Sequence, residues 1–184
     1  ICNFQYMSTQ NSKLKRLFLI DGYAMLYRCH FALIRNPLIT SYGLHTSALY
    51  GFTNQILKLI ELESPDYIAV IFDAKEKTFR HERYPSYKAT REKMPDEMVD
   101  QLPHLWRVLK GMNIFHMSMP GFEADDIIGT LAKSASKEDF TTYIVSGDKD
   151  FMQLINDKVF LYTPGGARAQ TKIYDDKGVV ERWG

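Results

Sequence analysis

The sequence predicts an α/β fold, a parallel sheet flanked by helices. Leu17–Ile20, Tyr67–Phe72 and Thr142–Val145 are continuous apolar runs rather than alternating ones, which suits strands buried on both faces. Segments of helical period separate them, and a strand-helix-strand order implies right-handed parallel crossovers. Each run is also followed by an acid at or near its carboxyl end: Asp21, Asp73 and Asp148. Open α/β sheets place their ligands at that edge.

The chain has 184 residues, with 45% hydrophobic and 24% charged side chains. That fits one globular domain, or one domain cut from a longer chain. No apolar run approaches the ~20 residues that span a bilayer, so no membrane is expected. Residues 1–16 are polar without an apolar signal core, and read as a lead-in to a domain over 17–184. Cys2 and Cys29 have neither metal-type nor redox-type spacing, which points to a reducing, cytoplasmic setting.

Leu17–Ile20 is the first strand, and Asp21-Gly22 is a turn signal. Ala24–Ala32 reads as a short helix and Pro37–Gly43 as a loop. Thr46 is placed to cap a helix running to Glu63, with Leu49, Phe52, Ile56, Leu59 and Ile60 on one face. Ser64-Pro65-Asp66 stops it. Tyr67–Phe72 is the second strand.

Residues 75–93 differ from the rest. Seven Lys and Arg oppose three Glu, a net +4 in a chain whose total is +1. Phe79, Tyr84 and Tyr87 are interleaved, and Pro85 and Pro95 interrupt regular structure. A solvated connector and a nucleic-acid surface both fit. On the second reading Lys75, Arg80, Lys88 and Arg91 hold phosphates while rings such as Tyr87 stack on unpaired bases.

Asp96–Met112 is predicted as one helix, with Met98, Leu102, Leu105, Trp106 and Leu109 toward the core. A short strand follows at Ile114–Met117. Gly121–Leu131 then opens an amphipathic helix that carries Glu123, Asp125 and Asp126 in its first turn. Acids there favour the helix dipole. Yet a cap needs one acid, and three stand beside the apolar Phe122, Ile127, Ile128 and Leu131. A charged cap and a metal site both fit this stretch alone. Thr142–Val145 is the fourth strand, followed by Ser146-Gly-Asp-Lys-Asp150 in a strand-to-helix turn. Val159–Tyr162 is a fifth strand, Lys172–Tyr174 a short β segment, and Asp175–Trp183 begins a further element.

If these strand ends share one edge, up to seven carboxylates converge: Asp21, Asp73, Glu123, Asp125, Asp126, Asp148 and Asp150. Like charges raise each other's pKa and resist burial, so such a cluster calls for a bound cation. All candidate ligands are oxygens, which selects Mg²⁺ or Mn²⁺ over Zn²⁺. This number of acids suggests two ions, roughly 4 Å apart, the usual arrangement for phosphodiester cleavage. Lys88 and Arg91 would then hold the scissile phosphate as catalytic cations. The five histidines are scattered and form no ligand pair.

Several stretches together resemble the 5′-nuclease, flap endonuclease-like domain at the N-terminus of bacterial DNA polymerase I. They are Leu19-Ile-Asp-Gly-Tyr-Ala-Met-Leu-Tyr-Arg28, Phe72-Asp-Ala-Lys75, Phe79-Arg-His-Glu82, Tyr87-Lys-Ala-Thr-Arg91, Met94-Pro95, Gly121–Gly129 and Ser146-Gly-Asp-Lys-Asp-Phe-Met-Gln-Leu154. The resemblance covers about Lys15 to Gly184. It implies a Rossmann-like, PIN-like sheet with a basic helical arch begun by Arg80–Arg91. It implies ion binding by the seven acids, with Glu123, Asp125 and Asp148 close to one ion. Lys88 and Arg91 match the arch cations, and Tyr87 is placed to stack. Substrates would be DNA with 5′ flaps, nicks or RNA primers, with a polymerase region C-terminal in the natural chain as an allowed partner. Family members continue past Trp183 into a Gly-Asp-rich segment and a helix-hairpin-helix module, so weak ion binding and poor cleavage are expected of these 184 residues.

Three other readings compete. A phosphatase of the haloacid dehalogenase type needs an acid two residues after Asp21, where Tyr23 stands. A non-catalytic nucleic-acid-binding fragment of the same fold and a PIN-type ribonuclease stay open. The ribonuclease usually lacks the long basic insert.

Overall fold

The computed structural model describes residues 14–90, 92–166 and 170–184. Six strands form one sheet: β1 (Lys15–Asp21), β2 (Tyr67–Ile71), β3 (Phe115–Met117), β4 (Phe140–Val145), β5 (Val159–Thr163) and β6 (Lys172–Tyr174). Their order is β3-β2-β1-β4-β5-β6. Every pairing is parallel except β5 with β6. Only eight residues join β5 to β6, too few for a parallel crossover. β1 starts two residues before the predicted Leu17, because Lys15 and Arg16 pair with Phe140 and Thr141.

Side-chain alternation divides the core between the two faces of the sheet. Phe18, Ile20, Val70 and Phe72 pack with α1 (Gly22–Ala32), α2 (Ser47–Glu63) and α5 (Leu102–Gly111). Leu19, Ile71 and Ile144 pack with α6 (Ala124–Ala135) and the 3₁₀ turn at Asp150–Leu154. Gly22 is required where it stands: a Cβ there would lie 2.3 Å from the Phe72 ring. The remaining helices are α3 (Phe79–Arg83), α4 (Asp96–Val99) and α7 (Asp176–Trp183).

Two local expectations need correction. The single helix predicted over 96–112 is two, α4 and α5. Pro103 sits in the first turn of α5, and its ring would clash with the Val99 carbonyl in a continuous helix. At the break, Gln101 is fully buried. Its amide accepts from Leu49 N–H at 2.9 Å and donates to the Glu97 carbonyl at 2.6 Å. Gln101 thus satisfies the start of α2, where Thr46 was predicted to cap. The Thr46 hydroxyl instead donates to the Leu38 carbonyl. On α2, Phe52, Ile56 and Leu59 are buried as predicted, whereas Ile60 is exposed.

Candidate active site

The parallel register sets the acids at one edge. Asp21 closes β1 opposite Ile71 of β2, and Ile20 is paired with Val145 of β4. By alternation, Asp21 shares the face of Leu19 and Asp73 that of Ile71, which is the α6 face. Asp21 is buried, at 8% exposure. It caps α1 by accepting from Ala24 N–H at 3.1 Å, and it accepts from the Ser146 hydroxyl at 3.2 Å. Burial pushes its carboxyl above the usual range, and Asp73 and Asp148 push the same way. Ser146 was not singled out in the sequence, yet its hydroxyl also accepts from Asp148 N–H at 3.1 Å. One oxygen therefore ties the end of β1 to the loop after β4.

The second group of acids begins α6. Gly121 precedes it at φ +85°, a conformation that favours glycine. Glu123 is the N-cap residue and is only 6% exposed. Asp73 accepts from Ala124 N–H at 2.7 Å, so the strand-end acid reaches across to the helix start. Asp126 accepts from Glu123 N–H at 3.0 Å. The Asp125 carboxyl is pushed up to about 6, first by desolvation and then by Asp21, Asp73 and Asp148; Lys88 opposes the shift. Those causes place Asp125 of α6 near aspartates from the end of β1, the segment after β2 and the loop after β4.

The basic segment closes over this group. Lys88 Nζ donates to Glu123 Oε1 at 2.9 Å, and the Tyr87 hydroxyl donates to Glu123 Oε2 at 3.0 Å. Arg80 grips Asp126 with two bonds of 2.7 Å and stands 3.6 Å from Glu123. That pair holds the Asp126 carboxyl below its usual range. Lys88 has φ +53°, an unusual backbone state for a residue with a side chain. Helical structure in the described part of this segment is limited to α3; residues 85–90 form turns. Tyr87 was expected to stack on bases. Here its ring meets His81 edge-on, with centroids 5.3 Å apart. Arg91 lies outside the described residues.

Crevices open along the edge. One of about 430 Å³ is lined by Arg80, Tyr87, Glu123, Asp125, Asp126 and Asp150. One of about 260 Å³ is lined by Asp73, Lys75, Lys88 and Glu123. Asp148 borders a third, with Arg28 and Ser146. Asp148 Oδ1 accepts from Asp150 N–H at 2.9 Å, which joins the last two predicted acids. Among the described residues, no three His, Cys, Asp or Glu side chains are gathered closely enough to hold an ion as they stand. The acids share an edge, and cations of the basic segment occupy part of it.

A family model for the 5′-3′ exonuclease N-terminal resolvase-like domain matches residues 16–184. DNA polymerase I of Bacillus subtilis is 40% identical over 171 residues, which cover 92% of this chain and 19% of that protein. The 5′-3′ exonuclease of Aquifex aeolicus is 38% identical over 171 residues, covering 93% of this chain and 57% of that protein. The chain thus spans about a fifth of its polymerase relatives. Among solved structures, a zinc-bound T5 5′-exonuclease superposes at TM-score 0.71 with 20% identity, covering 91% of this chain and 60% of that one. At that identity the likeness shows the fold.

Proposed function

Since the chain belongs to the family of 5′-3′ exonuclease N-terminal resolvase-like domains, we propose that it hydrolyses phosphodiester bonds in DNA at 5′ ends, flaps and primers, using divalent cations. The observation that carries this reading is the raised Asp125 carboxyl beside Asp21, Asp73 and Asp148. Crowded carboxylates repel one another and call for a cation, and a hard divalent ion fits their all-oxygen donor set. Mg²⁺ or Mn²⁺ would be held by Asp21, Asp73, Glu123, Asp125, Asp148 and Asp150, with Asp126 adjacent. When bound, such ions supply a water of lowered pKa and stabilise charge on the phosphate oxygens.

The chain's own residues do the rest. Ser146 orients Asp21 and the Asp148 loop. Lys88, now on Glu123, is within the same crevice as Asp73 and would pass to a phosphate that enters there. Lys75 at the rim and Arg91 would hold the neighbouring backbone, and Tyr87 would stack on a base once its hydroxyl leaves Glu123.

The test is Mg²⁺-dependent release of labelled product from 5′-flapped DNA, with single-stranded RNA alongside. Flap cleavage that fails in Asp125→Asn supports the proposal. Preferred cleavage of RNA would shift the reading to a PIN-type ribonuclease. A non-catalytic, DNA-binding role is the second reading, because among the described residues no three acids are gathered as they stand. DNA bound without cleavage at any Mg²⁺ or Mn²⁺ concentration would favour it.

A further inference from the structure

Asp126 differs from the acids around it. Both of its oxygens accept from the Arg80 guanidinium at 2.7 Å, and Oδ2 also accepts Glu123 N–H at 3.0 Å. A carboxylate has about four lone-pair sites, and three are taken here. The Arg80 guanidinium also lies over the Phe79 ring, 4.6 Å from its centroid. A planar fork on a carboxylate sets orientation as well as distance, which an ammonium group does not.

We infer that Asp126 is a positioning residue and not an ion ligand. The Asp126–Arg80 fork pins α3 to the first turn of α6, and so carries Tyr87 and Lys88 onto Glu123. This rests on the proposed function only for what the basic segment binds; the anchoring itself involves neither DNA nor metal.

Trypsin acting on the metal-free chain reads the anchor directly, at the bonds after Arg83 and Lys88. Arg80→Gln and Asp126→Asn should each raise cleavage there about tenfold, the loss of roughly 1.4 kcal/mol of protection. The double variant should be cut no faster than either single one, because both remove the same contact. Arg80→Lys, which keeps the charge without the fork, should fall between parent and Arg80→Gln. Asn at 126 retains a carbonyl oxygen for Glu123 N–H, so the start of α6 is kept; the Arg80 variants change no residue of α6. Calorimetric titration with Mn²⁺ supplies the second readout. Asp126→Asn should bind within about twofold of the parent, and Asp125→Asn at least tenfold more weakly. Multiplying cleavage rates in the double variant would overturn the inference. So would an Asp126→Asn chain that keeps its tryptic protection and loses Mn²⁺ as Asp125→Asn does. Should the parent bind no Mn²⁺, the fault lies with the proposed function, and proteolysis alone decides the anchor.

Discussion

Asp125 carries a clear electrostatic signature at the level of single residues. Its carboxyl is pushed up to about 6 by desolvation and by Asp21, Asp73 and Asp148. An acid with a raised folded pKa binds its proton more tightly in the native state. Its contribution is therefore fully present below the unfolded value and is lost as pH rises through about 6. The Asp125 carboxyl is crowded by neighbouring acids while much of the residue still meets solvent, so the loss is discounted to about 1 kcal/mol. Asp21 has the same sign. Asp126, held low by Arg80, has the opposite one, and its share is lost toward acid. Thermal melts of the metal-free chain should show stability declining from pH 5 to 7. The gain from added Mn²⁺ should grow over the same window, as the proton ceases to compete. Asp125→Asn removes one repelling charge, so its metal-free melting temperature at pH 7.5 should equal or exceed the parent's, and Mn²⁺ should no longer raise it by more than a degree or so. A large Mn²⁺ shift retained in that variant would remove Asp125 from the ion site.

At the scale of elements, the strands and the acidic helix were legible because their signals are local. Continuous apolar runs mark β1, β2 and β4, and the period of α6 is plain from Ile127, Ile128 and Leu131. What escaped the sequence was supplied by contacts distant along the chain. Gln101 caps α2 from 52 residues away. Nothing in the local sequence separates a buried glutamine from a solvated one. The Asp126–Arg80 fork spans 46 residues and the Ser146–Asp21 bond 125. The sequence groups Asp126 with the other acids of the first turn of α6, and its partner Arg80 is not visible there. The break at Asp100–Gln101 was in principle readable from Pro103, but the apolar period across Met98, Leu102 and Leu105 outweighed it. Gln101→Leu should leave Leu49 N–H buried without an acceptor and destabilise the chain by about 1–3 kcal/mol. Urea unfolding monitored by circular dichroism checks this, and a change below about 0.5 kcal/mol would mean the cap is replaced by water.

On the scale of the whole molecule, the sheet brings together residues more than a hundred positions apart, and the basic segment lies over the result. The charge pattern of residues 75–93 was read as a solvated connector or a nucleic-acid surface; in the structure its cations face acids, with Lys88 on Glu123 and Arg80 on Asp126. DNA phosphate would compete for Lys88 once a divalent ion takes over Glu123. Lys88→Ala should then weaken binding of 5′-flapped DNA and reduce the slope of log affinity against log salt by about 1. Fluorescence anisotropy between 50 and 200 mM salt measures it. An unchanged slope would show that Lys88 serves Glu123 alone.

Anomalous scattering from a Mn²⁺-soaked crystal addresses the central issue, whether strand-end and helix-start acids serve one shared cation. The account predicts a peak at the edge of β1, β2 and β4, with carboxylate oxygens of Asp125 or Glu123 and of Asp21, Asp73 or Asp148 about 2.2 Å from it. Manganese bound only at isolated surface acids, with Glu123 still held by Lys88 and Tyr87, would contradict it.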